Sequence, residues 1–417
     1  MKKRTLTSFL SACCATMLLL SAVAQQANAQ DARTAGAQAE HLPPIQHVFV
    51  IALENKNYDE TFGPNTEAPY LGKTLAAEGA LLTEYYGTGH NSLDNYISMM
   101  SGQGETNETS DDCNLYANFV ETGKGPDGQV LGHGCVYPAS VQTLANQLSA
   151  KGYTWKGYMQ DMGNNPARES ATCGHPPIND FDLTQEAQAP SPAYPLGDKY
   201  ATRHDPFMYF HSIIDSPVCK TNVVNLRELN TDLQSIATTP NFSFITPNLC
   251  DDGHNAPCTD GQPGGLKSIN SFLQKWVPLI MNSPAYKKDG LLIITFDEGG
   301  TGKITRRDKQ ILVTVPGAYC CHESKSLNLH RAYPEISHYK QHGLTIIERT
   351  LNYGGDRTGT VMLSNYIRPG TISDVPYNHY SLLKSLEQIF GIHQYLGYAG
   401  QKGLVPFGSD IYTNYRQ

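Results

Sequence analysis

Ile45-Gln46-His47-Val48-Phe49-Val50-Ile51-Ala52-Leu53 is the stretch of sequence that decides the fold class. The run is short, it is rich in β-branched residues, and it ends at the charged residue Glu54. Apolar runs of this kind are typical of parallel strands that are buried on both faces of a sheet. We therefore predict a buried parallel strand over residues 45–53.

Similar runs and intervening helical patterns continue along the chain. Strand-like runs lie at 242–246, 291–296 and 311–315, with a weaker one at 155–159. Helical spacing of apolar residues lies at 92–100, 140–150, 268–281 and 381–390. Strands that alternate with helices predict an α/β fold, an α/β/α sandwich around a mainly parallel central sheet.

The cysteines predict a disulfide framework on long surface loops. Residues 102–137 and 160–200 are rich in Gly, Pro, Asn and Asp, so we expect them to be surface excursions of the same domain. Eight cysteines lie beyond residue 29, and sequential pairing would join 113 to 135, 173 to 219, 250 to 258 and, least securely, 320 to 321. A zinc site is the alternative, which the lack of any C-x-x-C pair disfavours.

The N-terminus has the pattern of an export signal. Lys2, Lys3 and Arg4 precede an apolar stretch over 9–24, and Ala27-Asn28-Ala29 is an A-x-A cleavage site. A lipoprotein signal at Cys13 is the competing interpretation, but Cys13 precedes most of the apolar stretch. We therefore predict a signal peptide over 1–29, a flexible leader over 30–44 and a single domain over 45–417.

Composition narrows the classes of function. Hydrophobic residues make up 40% of the 417 residues and charged residues 17%, which is typical of a globular protein. The formal net charge of −8 argues against sequence-independent nucleic-acid binding, which needs a large positive field. Beyond the signal, no apolar run reaches the length of a membrane span, so we expect a periplasmic or secreted protein without a stable membrane anchor.

Acidic residues follow three of the predicted strands. Glu54-Asn55 follows the first, a segment from Asn248 to His254 follows the run at 242–246, and Asp297-Glu298 follows the run at 291–296. Ligands of open α/β sheets bind beyond the carboxyl ends of the strands. One such Asp is usually a cap or turn residue, but several on one edge favour a hard divalent cation of unknown identity.

The segment Gly87-Thr88-Gly89-His90-Asn91-Ser92-Leu93-Asp94-Asn95-Tyr96 predicts a tight turn that leads into a helix. Ser92 would lie in the first helical turn, where free N–H groups favour an anion, and Asn95 would project from the same side. A serine there, next to a cation, could act as a nucleophile. The alternative is that Ser92 only caps the helix.

Several common catalytic motifs are absent, and six segments resemble one family. The sequence has no G-x-S-x-G, no G-x-x-x-x-G-K-[ST] and no H-E-x-x-H, which argues against an α/β-hydrolase, a P-loop enzyme and a zincin.

Six segments of the sequence resemble, in order, the motifs of the bacterial phosphoesterase family, which includes phospholipases C and secreted acid phosphatases. The matching segments are Glu54-Asn55-Lys56-Asn57-Tyr58-Asp59-Glu60-Thr61-Phe62-Gly63, His90-Asn91-Ser92-Leu93-Asp94-Asn95-Tyr96, Arg203-His204-Asp205-Pro206-Phe207, 247–254, Phe296-Asp297-Glu298-Gly299-Gly300 and His379-Tyr380-Ser381-Leu382-Leu383.

The resemblance implies an alkaline-phosphatase-like fold and assigns roles to the candidate residues. Glu54, Asp297 and Glu298 would hold a divalent metal, and Ser92 would be both a metal ligand and the nucleophile that carries the phosphoryl group. Substrate contacts would come from Asn55 beside the metal, together with Asn95 and His90. His204 and His254 would contact the phosphoryl oxygens or the leaving group. His379 more often packs or caps than ligates, so we leave it outside the site.

Three functions remain open at this point. The absence of a long C-terminal extension favours a compact acid phosphatase, which would hydrolyse phosphate monoesters through a phosphoserine intermediate. A phospholipase C or other phosphodiesterase is the first alternative, and a non-catalytic exported binding protein is the second. The expected partner is a small phosphorylated substrate, with a phospholipid head group as the variant. The sequence does not indicate the oligomeric state.

Overall fold

The computed structural model describes residues 42–300, 302–341 and 343–415. The proposed signal peptide over 1–29 and nearly all of the leader over 30–44 lie outside the described residues. The strands are β1 His47–Leu53, β2 Ala80–Leu82, β3 Tyr85–Tyr86, β4 Val120–Lys124, β5 Val130–His133, β6 Trp155–Met159, β7 Val223–Asn225, β8 Phe242–Thr246, β9 Gly290–Phe296, β10 Lys303–Arg307, β11 Gln310–Val315, β12 Glu335–Gln341, β13 Leu344–Thr350, β14 Thr360–Ser364, β15 Thr371–Ser373 and β16 Tyr377–Asn378.

Eight of these strands form the central sheet, in the order β15-β2-β14-β9-β1-β8-β6-β7. Strand β1 lies in the middle and pairs in parallel with both β8 and β9, so that Val50 is level with Phe244 on one side and Ile293 on the other. Strand β14 is the exception, because it runs antiparallel to both β9 and β2. All seven residues of β1 are buried, as expected for a central parallel strand.

Helices cover the sheet and connect its strands. The α-helices are Tyr58–Phe62, Ala76–Glu78, Ser92–Ser101, Leu144–Ala150, His211–Ile214, Cys219–Asn222, Leu229–Asp232, Gly265–Asn282, Pro284–Asp289 and His379–Ile389. Single 3₁₀ turns lie at Thr109–Asp111, Pro126–Gly128, Thr202–His204, Pro206–Tyr209, Leu226–Glu228 and Gly397–Gly400, and a π-helical turn lies at Tyr70–Leu75. The four helical patterns in the sequence all correspond to helices of the structure.

The two faces of the sheet are covered by different helices. Alternate residues of β1, Phe49, Ile51 and Leu53, share one hydrophobic core with Ile269 and Leu273 of the helix Gly265–Asn282. On the other face, Tyr96 of the helix Ser92–Ser101 packs edge-on against Phe244 of β8, with ring centroids 6.2 Å apart. The predicted α/β/α sandwich with a mainly parallel sheet is therefore confirmed.

One strand prediction is wrong in its placement. We expected residues 311–315 to join the central sheet, but β11 lies in a separate four-stranded sheet with the order β10-β11-β13-β12. Its burial explains the difference, because Val313 and Val315 are buried whereas Leu312 and Gln310 face solvent. The apolar run alternates in and out instead of being buried on both faces. Two small pairs, β16 with β3 and β4 with β5, complete the strands.

All eight cysteines beyond residue 29 form disulfides, and the sequential pairing is confirmed. The bonds join Cys113 to Cys135, Cys173 to Cys219, Cys250 to Cys258 and Cys320 to Cys321. The first bond lies within the predicted loop region over 102–137, and the second joins Cys173 of the region over 160–200 to the start of the helix Cys219–Asn222. Within the described residues, no helix is both long enough and apolar enough to cross a membrane.

Candidate active site

Glu54 lies at the carboxyl end of β1 and is fully buried. Its Oε1 accepts a hydrogen bond from the Tyr96 hydroxyl at 2.8 Å, and its Oε2 accepts one from Asn55 Nδ2 at 2.6 Å. Ser92 Oγ also donates to Oε2, at 2.9 Å. Asn55 adopts the left-handed region with a φ of 55°, which asparagine tolerates better than most residues, and this turn directs Glu54 toward Ser92.

Ser92 is the first residue of its helix, and the backbone before it is strained. Asn91 has a φ of 126°, a conformation that costs a non-glycine residue on the order of 1–3 kcal/mol and that clusters at functional sites. Upstream, Gly87 lies against the backbone at the end of β9, where a Cβ would come within 2.6 Å of Asp297 O. A glycine is required for this close approach, which brings the Ser92 turn next to the Asp297 strand end.

Asp297 and Glu298 follow β9, but their carboxylates have different hydrogen-bond partners. Asp297 Oδ1 accepts from the Asn55 backbone N–H at 2.9 Å, while its Oδ2 is buried without a hydrogen-bond partner among the described residues. Glu298 Oε2 instead accepts from the Asn91 backbone N–H at 3.0 Å and contacts His90 Nδ1 at 2.9 Å. Glu298 thereby supports the strained turn that precedes Ser92.

His90 lies between two carboxylates. Its Nδ1 contacts Glu298 and its Nε2 is 3.2 Å from Asp356 Oδ2. Burial alone would disfavour the charged ring, but the close contacts with the Asp356 and Glu298 carboxylates outweigh it and raise the pKa of His90 to about 10. The raised pKa favours the charged form of His90, whose single positive charge offsets part of the negative charge of these two acids behind the Ser92 turn.

Asn95 uses its amide on the same turn. Its Oδ1 accepts from the backbone N–H groups of Thr88 at 2.7 Å and Gly89 at 3.2 Å. Its Nδ2 donates to Gly89 O at 2.9 Å and Asn91 O at 3.0 Å. Both amide hydrogens are thus engaged by backbone carbonyls. A direct role of Asn95 in substrate binding stays a prediction.

The two candidate histidines lie on the opposite side of Glu54. His204 stacks on the Tyr96 ring, and it lies between Glu54 Oε1 at 3.3 Å and Asp252 Oδ2 at 3.2 Å. The ring centroids of His204 and His254 are 5.9 Å apart. Glu54, His204 and Asp252 are all buried, so bulk solvent screens the interactions among them only weakly.

Arg203 fixes the tautomer of His254. Arg203 Nη2 lies 3.4 Å from His254 Nε2, and an arginine can only donate. The ring proton of neutral His254 therefore sits on Nδ1, which lies 2.8 Å from Asn255 Oδ1. Burial, reinforced by the Arg203 charge, lowers the pKa of His254 to about 4. The same two causes lower the pKa of His204.

The carboxylates of this site fit a divalent cation. Burial raises the pKa of Glu54, and the neighbouring Asp297 raises it further. The pKa of Asp297 is raised by burial and then by Glu298. Buried acids that repel one another and an orphaned Asp297 Oδ2 are what a cation would stabilise. A second set of potential ligands is Glu54, His204 and Asp252.

The structure brings Glu54, Asn55, Ser92 and Asp297 together, with His204 on one side and His90 with Glu298 on the other. His379, which we left outside the site, packs behind it and contacts Tyr85 and the Asp297 carbonyl oxygen. The sequence analysis placed Asp252 at this edge of the sheet without a role of its own, and it missed Tyr96, Asp356 and Arg203 as contributors. Tyr96 and Arg203 lie inside the matched segments, so their position was a signal, whereas nothing in the sequence indicated Asp356.

A family model called the Phosphoesterase family matches residues 65–393, which is most of the chain. The chain belongs to the phosphoesterase family. The matched range includes Ser92, His204, His254 and the Asp297-Glu298 pair, whereas Glu54 and Asn55 lie just before it.

Curated relatives include several phosphatases. A probable acid phosphatase of Kluyveromyces lactis is 26% identical over 64% of this chain, which spans 51% of that protein. An acid phosphatase of Aspergillus fumigatus is 23% identical, with 84% of this chain and 71% of that protein covered. A phosphatidylinositol-3-phosphatase of Mycobacterium tuberculosis is 22% identical, covering 87% and 83%. The family match and these relatives support a hydrolase that acts on phosphoric esters.

Solved structures that are similar to this chain include a protein of the alkaline phosphatase superfamily from Vibrio parahaemolyticus. It is 10% identical, with a TM-score of 0.46, and covers 85% of this chain and 68% of its own.

Proposed function

We propose that this protein is an exported, metal-dependent phosphoesterase of the acid phosphatase type, which hydrolyses phosphate monoesters through a phosphoserine intermediate on Ser92. The observation that carries the proposal is the hydrogen bond from Ser92 Oγ to Glu54 at a helix start, beside the orphaned Asp297 carboxylate. Residues 45–417 would form one catalytic domain. The four disulfides support export, since disulfides persist in oxidising compartments.

Glu54, Asp297 and Ser92 would hold the divalent cation, and Glu298 would join them if its side chain released part of its contact with the Ser92 turn. When bound, the cation would supply positive charge to the serine oxygen and to the phosphoryl oxygens. Glu54 also accepts a hydrogen bond from the Ser92 hydroxyl, and this bond orients the serine oxygen for attack. The raised pKa of Glu54 reflects its burial and the proximity of Asp297.

In the proposed reaction, Ser92 Oγ forms a bond to phosphorus while the bond from phosphorus to the leaving alcohol breaks. The hydroxyl proton of Ser92 leaves through Glu54, its hydrogen-bond acceptor, and balances the one proton that the departing alkoxide takes up. A water molecule then adds to phosphorus and breaks the bond from phosphorus to Oγ, and one of its protons restores the Ser92 hydroxyl as phosphate is released. At the helix N-terminus the Leu93 N–H donates to Asp112 Oδ1 at 3.1 Å, and the remaining N–H groups of the first turn would face the phosphoryl oxygens. Arg203 adds a buried positive charge next to His204 and His254 on the leaving-group side.

The test compares Ser92→Ala with Ser98→Ala, a matched control on the same helix. Ser98 is also buried, but its Oγ contacts Gln103 O and the Tyr380 hydroxyl instead of Glu54. With p-nitrophenyl phosphate, Ser92→Ala should lower kcat by about 10³-fold or more, and Ser98→Ala should change it by less than about tenfold. Acid quenching during turnover should leave phosphate on Ser92 in the wild type, detected by mass spectrometry.

Substrate choice separates the remaining alternatives. Faster hydrolysis of p-nitrophenyl phosphate than of p-nitrophenyl phosphorylcholine supports the monoesterase, and the reverse order supports a phospholipase C. Near-normal turnover by Ser92→Ala, or label on another residue, would contradict the proposed nucleophile. No hydrolysis of any phosphoester with any divalent metal would leave the non-catalytic binding protein as the better description.

A further inference from the structure

The four-stranded sheet begins at the edge of the candidate active site. Strand β10 starts shortly after the Asp297-Glu298 pair, and its first residue, Lys303, lines a cavity of about 620 Å³. Asp356, the partner of His90, lines the same cavity. The sheet therefore begins next to the residues that support the Ser92 turn, since Asp356 contacts His90.

The strand register shows that the two faces of this sheet differ. On one face, Val313, Val315 and Ile346 are buried in a small apolar cluster, and Tyr339 and Glu348 of the same face contact each other. Side chains alternate along a strand, so the neighbours of these residues point to the opposite face. That opposite face is exposed to solvent at all its charged positions.

We call this exposed surface the cationic face and define it by three rows of cross-strand neighbours. The rows run across β10, β11, β13 and β12 and are Arg307-Gln310-Thr345-Lys340, Thr305-Leu312-Ile347-His338 and Lys303-Thr314-Arg349-Ile336. Within these rows there are four exposed cations and no carboxylate. None of the four forms an ion pair with a described residue.

The centre of the cationic face is apolar. Leu312 and Ile347 are direct neighbours in the middle row, with the cations Arg307 and Lys340 in the row above and Lys303 and Arg349 in the row below. Leu312 is 37% exposed, and Ile336 at the edge is 56% exposed. An aliphatic centre surrounded by unpaired cations is unusual on a chain whose net charge is −8. The charge of this face is opposite in sign to the net charge of the chain.

We propose that the cationic face binds the surface of an anionic phospholipid bilayer. Cations there meet anionic head groups, while Leu312, Ile347 and Ile336 contact the acyl boundary, as on other interfacial protein surfaces. The acidic remainder of the chain is repelled by the same bilayer, which turns this face toward it. A nucleic acid would satisfy the cations but not the aliphatic centre, so the bilayer is the better fit.

This proposal deepens the proposed function, because a phosphoesterase held at a bilayer by this face would meet the phosphate groups of lipid head groups. The test measures binding and needs no hydrolysis, so it can be read even if the proposed function fails. The full chain without its first 29 residues is sedimented with vesicles of phosphatidylcholine alone, or of phosphatidylcholine with 30% phosphatidylglycerol, in 0.1 M salt. The wild type should bind the anionic vesicles at least tenfold more tightly.

The charge variant is Arg307→Gln/Lys340→Gln/Arg349→Gln. At about 1 kcal/mol for each cation near an anionic surface, it should bind anionic vesicles about 100-fold more weakly. The matched control, Arg306→Gln/Lys287→Gln/Lys288→Gln, removes the same charge elsewhere, and Arg306 neighbours Arg307 but points to the other face. It should lose less than about threefold.

Leu312→Ser/Ile336→Ser tests the apolar centre. It should weaken vesicle binding about tenfold while leaving any binding to double-stranded DNA unchanged. Circular dichroism and thermal melting confirm that each variant is folded, and hydrolysis of soluble p-nitrophenyl phosphate should stay at the wild-type rate. Equal binding to neutral and anionic vesicles, an equal loss in the control variant, or DNA binding as tight as vesicle binding would each overturn the proposal.

Discussion

Asn95→Ala should unfold the turn that carries Ser92. Asn95 is fully buried, and its amide pairs with four backbone groups: the N–H groups of Thr88 and Gly89 and the carbonyl groups of Gly89 and Asn91. At about 1 kcal/mol for each hydrogen bond, the loss in the free energy of unfolding is about 4 kcal/mol. Asn95→Asp should cost as much, because a carboxylate oxygen would face two carbonyl oxygens.

Urea denaturation monitored by tryptophan fluorescence measures this loss, and steady-state hydrolysis of p-nitrophenyl phosphate measures its effect on the site. A misplaced Ser92 should lower kcat by about 100-fold with little change in KM. Ser101→Ala is the control, since this buried serine of the same helix makes one hydrogen bond, from its Oγ to Ile97 O. It should cost about 1 kcal/mol and leave kcat unchanged.

The opposite pattern would refute the reasoning. If Asn95 instead binds the phosphoryl group, Asn95→Ala should leave the free energy of unfolding within about 1 kcal/mol of the wild type. KM should then rise at least tenfold. The comparison thus separates a residue that positions Ser92 from one that contacts substrate.

Two further predictions concern the metal and a buried acid. Exhaustive dialysis against EDTA should abolish hydrolysis and lower Tm, and added Mg²⁺, Ca²⁺ or Zn²⁺ should restore both; full activity of a protein shown to be metal-free by atomic emission would exclude the metal. Burial raises the pKa of Glu387 to about 8, although the Leu396 N–H, Gln147 and Lys384 act to lower it. The folded state therefore favours the protonated acid, and the stability that protonated Glu387 contributes is lost as the pH rises from about 4.5 to 8. Glu387→Gln keeps a donor toward the buried Gln147 Oε1 but does not titrate. In urea denaturation, the difference in the free energy of unfolding between pH 5 and pH 8 should therefore be smaller in this variant than in the wild type, by on the order of 3 kcal/mol. An unchanged difference would contradict the assignment.

The sequence was sufficient to predict the central strands, because these depend on local pattern, whereas the roles of the site residues rest on the family resemblance and stay predictions. Runs such as residues 242–246 are buried on both faces and end at polar residues, so their class and the edge at which Asp252 emerges follow directly. The run over 311–315 shows where this reasoning fails. A short aliphatic run has the same composition whether it is buried on two faces or on one, and only long-range pairing distinguishes the cases.

The site residues that the sequence could not assign are those that act through others. Asp356 reaches His90 only because β13 and β14 return the chain to the end of β9, which no local pattern encodes. Asn95 and Ser92 lie on the same helix, as spacing predicted, but spacing does not show that the Asn95 amide turns back toward the Thr88 turn. The direction in which this amide points depends on how the preceding turn folds back, although its partners are only four to seven residues away, and that direction decides between binding and positioning.

The pairing of the four-stranded sheet has a consequence for the order of folding. The sheet consists of two hairpins, β10 with β11 and β12 with β13, and its central seam is the parallel pair of β11 and β13. Each hairpin closes a short loop and can form within microseconds. The seam joins strands that the connection over 316–334 separates, and Glu323 and Leu329 of that connection are buried in the body of the molecule. Because a contact of longer sequence separation costs more loop-closure entropy, we expect the two halves of this surface to form separately and the seam to join them later.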